Sequence, residues 1–415
     1  MSSALWIGTT GLTASSKQLE VIGDNLANAN TVGFKAGDTC FASLLSRSVA
    51  GTSGNNMQVG QGVGVAAITT QFAQGSFETT SNSTDLAIDG QGFFVVKDDD
   101  GATYYTRAGA FNLNKDGYLS DMSGYRVQGL MYDSAGNKLP GVSDINLLDT
   151  NSQPKTTSSF NLGMNLNADT EVGEIFSTTQ TVYGPSGSSA SLNITFEKTA
   201  SDTWDISAEL EAADGTIYPA ALDASGLDSL VFTADGQLIN GDLTADPVVD
   251  PLDAIFSFAD AGSPLASLTW NLTENAPAIT AYAMSSRVNY ASNDGYPPGS
   301  LDSLNISGDG TVFGYFTNGE SRNMAQILLA DFIDPTGLQK EGSYFVETSA
   351  SGSPILSEPG GSGLGSLQSN ALEVSNTDMA REFIKMISAQ RAYQANSRVI
   401  TTADEMLTEL MNIKR

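Results

Sequence analysis

Residues 379–411 read MAREFIKMISAQRAYQANSRVITTADEMLTELM, and this stretch decides the fold class. Met379, Phe383, Met386, Gln390, Tyr393, Ser397, Ile400, Asp404, Leu407 and Met411 fall at alternating steps of four and three. That is the spacing of a heptad seam with a few polar stations. Neither Gly nor Pro interrupts 374–415, and Ser375 with Asp378 offers a capping box at its start. A helix of roughly 36 residues is about 55 Å long and does not stand alone in water, so it calls for a partner.

A partner is present at the other end of the chain. Leu5, Leu12, Leu19 and Leu26 recur every seven residues, and Val21 and Ile22 widen the stripe. Residues 3–29 contain no proline, and Asn30-Thr31-Val32-Gly33 breaks the pattern. A coiled coil of the two segments would bring the chain ends together.

Between these ends the pattern changes from helix to strand. Asp-Gly occurs at Asp89, Asp100, Asp116, Asp214, Asp235, Asp294 and Asp309, and Asn-Gly at Asn240 and Asn318. These dipeptides favour hairpin turns, and short apolar runs flank them, such as Phe93-Phe94-Val95-Val96. Two Gly/Ser-rich stretches, 51–64 and 352–365, sit symmetrically around the β region. The expected architecture is therefore multidomain α+β, with all-β domains nested between terminal helices. Its expected parts are a terminal helical domain (1–31 and 372–415), connectors (32–74 and 352–371), an inner β domain (75–150 and 281–351) and an inserted β domain (151–280).

Charge supports the nesting. The chain of 415 residues carries 19 basic and 47 acidic residues, a net of −28. Residues 151–283 hold 18 acidic residues against Lys155 and Lys198, whereas 372–415 carry six of each sign. An acidic, solvated middle and neutral ends built for contact follow. Nucleic acid and anionic membrane are poor partners for such a chain. No apolar run is long enough to span a bilayer, and the first 30 residues lack the pattern of a cleaved signal peptide.

Histidine is absent and Cys40 is the single cysteine. The usual zinc sites, Ser-His-Asp triads and Cys-His pairs are thereby removed. A glycosidase working through two carboxylates would need an aromatic-lined cleft, and Trp6, Trp204 and Trp270 are far apart in sequence. Asn112–Gly117 resembles half a calcium loop, but Ser123 stands where the bidentate Glu belongs. Asp98-Asp99-Asp100 runs into Gly101 and reads as a solvated turn. No catalytic, cofactor or metal site is expected.

Several motifs match a known family. Gly11-Leu12-Thr13-Ala14, the run from Val21 to Lys35 (VIGDNLANANTVGFK), Asp85–Phe94 (DLAIDGQGFF), Leu372–Asn376 (LEVSN) and Met386–Ser397 (MISAQRAYQANS) occur in order at both ends. Together they resemble the axial proteins of the bacterial flagellar rod and hook. Asp294–Leu301 (DGYPPGSL), 308–318 and 330–338 are similar to the hook branch of that family.

That resemblance implies a non-enzymatic subunit that polymerises into a helical tube outside the cell, a flexible joint between rod and filament. It implies partners at the tube ends (a rod protein and a hook–filament junction protein), and a hook cap and the flagellar type III export apparatus during assembly. It implies no cofactor. The seam residues Leu5, Leu12, Leu19, Leu26, Met379, Phe383, Met386, Tyr393, Ile400 and Leu407 would carry helix pairing and assembly. Phe41 and Leu45 fit an export-docking pattern of the family's early substrates. A distal rod protein is the nearest alternative; an adhesin or surface-layer protein is the alternative from another class.

Overall fold

In the computed structural model the described residues are 2–45, 47–49, 57–133, 136–147, 151–222, 229–239, 254–258, 263–272, 278–361 and 363–413. The Asn240 turn and residues 51–56 of the first Gly-rich stretch lie outside them. The chain forms two compact units. The first comprises Met1–Asp149, Ser303–Gly314 and Arg322–Arg415, and the second Thr150–Asp302 and Tyr315–Ser321.

In the first unit two long helices close on one another. Helix α1 spans Ser2–Ala27 and helix α2 spans Met379–Ile413. They run antiparallel: Gly8 lies against Ile400, Gly11 against Asn396, and Asn25 bonds Glu382 at the opposite end. The cap of α2 differs from the expected box. Asp378 is itself the cap, its Oδ1 accepting from the N–H groups of Ala380 (2.9 Å) and Arg381 (3.2 Å), while Ser375 bonds Thr377. A carboxylate at this end satisfies free donors and complements the helix dipole, so α2 starts where Asp378 can serve.

The β part of this unit is antiparallel. Strand Phe93–Lys97 pairs with Thr103–Thr106 and Arg126–Met131, and Thr103–Thr106 pairs onward with Tyr344–Val346. Phe93, Phe94, Val95 and Val96 are all buried, so this strand serves a core on each face. On one face Phe93, Tyr105, Phe332 and Phe345 meet edge to face, with Tyr105 and Phe332 4.8 Å apart. On the other, Phe94 meets Phe111 at 5.0 Å.

The turns are closed by their own side chains. Asp98 accepts from the Ala102 N–H, and Asn114 Oδ1 accepts from Asp116 and Tyr118 N–H groups. Glycines at 101 and 117 supply the positive φ that these turns require.

Residues 352–371, expected to be a connector, instead carry paired strands. Ser366–Ser369 pairs with Leu86–Asp89, and Ala371–Glu373 pairs with Phe77–Thr79. Leu364 and Leu367 are buried. The Gly-rich composition reflects close backbone approach: a Cβ on Gly365 would lie 2.5 Å from the Asp89 carbonyl oxygen.

In the second unit two sheets enclose a single core. Ser189–Ala200 and Thr203–Ala212 alternate, burying Ala190, Leu192, Ile194, Phe196, Trp204, Ile206, Ala208 and Leu210. These meet Phe160, Phe256, Leu268 and Trp270 of the other sheet. Glu197, Asp205, Glu209 and Glu211 occupy the alternate, exposed positions, which is how an acidic segment still builds a core. The unit continues past 280, the expected boundary. Arg287–Asn293 pairs along the length of Ser159–Asn165, and Asp294 accepts from the N–H groups of Ser158 and Ser159.

Candidate assembly surface

Helix α2 presents two faces. The face toward α1 holds Glu382, Ala389 and Ala403, all buried, with Met386, Asn396, Ile400 and Leu407 partly buried. Gly8 and Gly11 let α1 approach this face: a Cβ on Gly8 would lie 2.7 Å from Ile400 Cγ1, and one on Gly11 2.6 Å from the Asn396 amide. Tyr393 borders a cavity of about 250 Å³ with Leu12, Thr13, Ser16 and Lys17. Leu5, Leu12, Leu19 and Leu26 are all partly buried on α1.

The second face is turned away. Met379, Phe383, Ile384 and Ile387 are 52, 50, 67 and 51% exposed. Thus Met386, Tyr393, Ile400 and Leu407 belong to the face toward α1, and Met379 and Phe383 to the outer one. Further along α2, past the exposed Arg391, Gln394 and Arg398, Val399 and Met406 are also exposed, and Trp6 is exposed on α1. An unburied apolar cluster such as Met379, Phe383, Ile384 and Ile387 marks a contact surface.

Beside α1 the strands Gly37–Ser43 and Val63–Thr70 form an antiparallel pair with an irregularity between Cys40 and Phe41. Thr10 of α1 packs where a Cβ on Gly62 would fall, at 2.2 Å. A groove of about 360 Å³ runs between Trp6, Thr9, Thr13 and Lys17 on α1 and Val63–Val65 on the strand. Phe41 is 43% and Leu45 93% exposed, both on this hairpin arm and apart from the helix seam. Cys40 is exposed, with Thr69 Oγ1 3.9 Å from its sulfur.

Where the helices join the β part, three segments meet on one carboxylate. Glu373 and Lys35 are fully buried and Arg107 nearly so. Lys35 Nζ donates to Glu373 Oε1 at 2.6 Å and to the Ala73 carbonyl at 2.9 Å. The same Oε1 accepts from the Gly75 N–H at 2.8 Å. Arg107 reaches Glu373 Oε2 at 3.4 Å and the Gly90 carbonyl at 3.0 Å, and stacks over Phe93. Burial pulls the Lys35 and Arg107 pKa values down, and Glu373 works against that in both.

Around this cluster, Asn376 takes the Ala36 N–H and donates to the Gln71 and Ala73 carbonyls. Asn25 bonds both the N–H and the carbonyl of Gly37. Sequence reading missed this cluster. The available signal was one charged residue inside each of two otherwise apolar or glycine-rich motifs, Gly33-Phe34-Lys35 and Ala371-Leu372-Glu373-Val374.

The sequence matches four families along its length. Residues 5–35 match "Flagella basal body rod protein", and residues 87–170 "Flagellar hook protein FlgE/F/G D1 domain". Residues 148–296 match "Flagellar basal body protein FlaE D2 domain", and residues 368–413 "Flagellar basal body rod FlgEFG protein C-terminal". The flagellar hook protein FlgE of Borreliella burgdorferi is 32% identical over 449 aligned positions, covering 100% of both chains. This chain belongs to the flagellar hook proteins. The hook proteins of Escherichia coli and Salmonella typhimurium are 31 and 32% identical, each over 98% of both chains. A crystal structure of Helicobacter pylori flagellar hook protein FlgE2 superposes on 72% of this chain and 100% of that one, with 15% identity and a TM-score of 0.49. The family is structural rather than enzymatic. Among the described residues no helix is long and apolar enough to cross a membrane.

Proposed function

We propose that this hook subunit builds its helical tube through the outer face of its terminal helix pair. The observation that carries the reading is that α2, already packed on α1 by one face, leaves Met379, Phe383, Ile384 and Ile387 half or more exposed on another. A monomer gains nothing from that surface, whereas a copy added head to tail covers it, and a repeated contact that does not close generates a helix. In the tube the paired ends act as a coiled-coil-like wall, with Leu5, Leu12, Leu19 and Leu26 of α1 set against Met386, Tyr393, Ile400 and Leu407.

The acidic insertion, residues 151–283 with 18 acidic residues against two lysines, lies outside the helical wall in this reading. Like charge there limits sticking between neighbours, over about 8 Å at physiological salt. The tube bends as a universal joint between a rod protein and a hook–filament junction protein. It is assembled under a hook cap from chains passed through the flagellar type III apparatus. Phe41 and Leu45, exposed on the hairpin arm, are the docking residues for that passage.

Sedimentation and electron microscopy of the purified chain in assembly-promoting salt test the central statement. Tubes with helical order are expected above a critical concentration. A chain that stays monomeric, or forms only amorphous aggregate, across the concentration series would defeat it.

A further inference from the structure

Glu373 is held by more directed contacts than cohesion requires. Its two oxygens meet Lys35 (2.6 Å), the Gly75 N–H (2.8 Å) and Arg107 (3.4 Å), and the cations are themselves tied to the carbonyls of Ala73 and Gly90. The residues come from three segments: the chain leaving α1, the chain after strand Thr103–Thr106, and the chain entering α2. Backbones are in contact there as well. A Cβ on Gly33 would lie 2.4 Å from the Ala108 nitrogen, and one on Gly75 2.0 Å from the Val374 carbonyl oxygen.

Buried ion clusters of this kind add little stability over well-packed apolar side chains of similar volume, because desolvation offsets the attraction. They differ in direction. An apolar cluster tolerates rotation of one segment against another, while a carboxylate bonded on both oxygens does not. Orientation matters because of leverage. Helix α2 has 35 residues, so at 1.5 Å per residue a 5° error at its base displaces the far end by about 5 Å, close to one helical turn.

We infer that Lys35, Arg107 and Glu373 are positioning residues that set the angle at which the terminal helix pair leaves the β part of its unit, and so set the helical parameters of the tube. The part of this inference that concerns the tube rests on the assembly reading above; the part that concerns the angle does not.

The test separates the two. In a Cys40→Ser background, spin labels at Thr103→Cys and Gln394→Cys report the distance from the β sheet to α2 in the dilute monomer. A narrow distribution is expected for the parent. The apolar triple variant Lys35→Met, Arg107→Met, Glu373→Leu is expected to broaden it at least twofold or move its centre, while the melting temperature stays close to the parent's. An unchanged distribution overturns the inference.

If the triple variant does not fold, Arg107→Lys takes its place. It keeps the charge and loses the forked reach to Gly90, and the same outcomes decide. Tubes of the unlabelled variant, imaged beside the parent, should show altered pitch or diameter. Parent helical parameters in those tubes would refute the tube part even with a broadened monomer distribution. Failure of the parent itself to form tubes would defeat the assembly reading and leave the spin-label result standing.

Discussion

Phe383→Ala is the sharpest probe of the outer helix face. A phenylalanine side chain buries about 200 Å² when fully covered. Phe383 is 50% exposed in the monomer, which leaves about 100 Å² for a neighbouring copy to cover. At about 25 cal/mol per Å² that surface contributes roughly 2.5 kcal/mol per subunit. Alanine retains a small part, so a loss of about 2 kcal/mol is expected, near a 30-fold rise in critical concentration. The entropic cost of fixing a subunit is the same for parent and variant and cancels in the difference. The monomer should lose less than about 1 kcal/mol, because the removed atoms lie mostly outside its core. Pelleting across a dilution series, read with thermal melting of the monomer, measures both quantities. Gln390→Ala, at an exposed polar station of α2, should leave the critical concentration within about twofold. A Phe383→Ala variant that assembles at the parent's critical concentration would refute the assignment of this face to subunit contact.

Other expectations concern the interior and the hairpin arm. Burial raises the Tyr105 phenol to about 12, with the Glu347 charge adding to it, so the fold favours the neutral ring. That stabilisation is complete below the ordinary value near 10 and is lost as pH rises through about 12; Tyr105→Phe should raise the alkaline unfolding midpoint, measured by circular dichroism. Gly33→Ala places a Cβ 2.4 Å from the Ala108 nitrogen at φ +68°, so hydrogen exchange should show both terminal segments opening, at a cost above about 2 kcal/mol. Trp270→Ala should cost the insertion about 3–5 kcal/mol in a two-step melt. Trp270→Phe should cost far less, since the buried indole N–H has no partner among the described residues. Phe41→Ala should lower secretion into the medium while the β units remain folded; secretion at the parent level would remove Phe41 from the docking role.

Much of the fold was legible because its signals are local. Heptad spacing at both ends, Asp-Gly turns and alternation in residues such as 189–212 depend on neighbours within a few positions. Both helices and the turns at Asp100, Asp116, Asp214, Asp235, Asp309 and Asn318 stand where these signals put them, whereas Asp89-Gly90 and Asp294-Gly295 do not join paired strands. Reading α2 as one seam merged two faces. Glu382, Ala389, Asn396 and Ala403 face α1, yet none is a large apolar residue, so hydrophobic periodicity passes over them in favour of the adjacent series Phe383, Gln390, Ser397 and Asp404. Gly8 and Gly11 of α1 admit Ile400 and Asn396 of this face at close range, a fit that appears only when both helices are present. Similarly, glycine-rich composition suggested connectors at 352–371, because a Gly that permits backbone contact looks the same in sequence as one that permits bending.

The ion cluster was out of reach for a different reason. Lys35 and Glu373 are 338 residues apart, and nothing local pairs them. Their burial also runs against the rule that charged side chains stay at the surface unless paired. The cluster explains why the chain's two ends return to one place. Removing any one member leaves a buried charge without its counterpart, a cost of several kcal/mol, so the joint holds only when the segments after α1 and before α2 are both seated. The helices beyond it bury one face each and expose another, and in the assembly proposed above a second copy covers that outer surface. A subunit of this construction separates two tasks. The joint fixes direction inside one chain, and the apolar helix face supplies cohesion between chains. Substitutions at Lys35, Arg107 or Glu373 should therefore change tube geometry, and substitutions at Phe383 or Ile387 the concentration at which tubes appear.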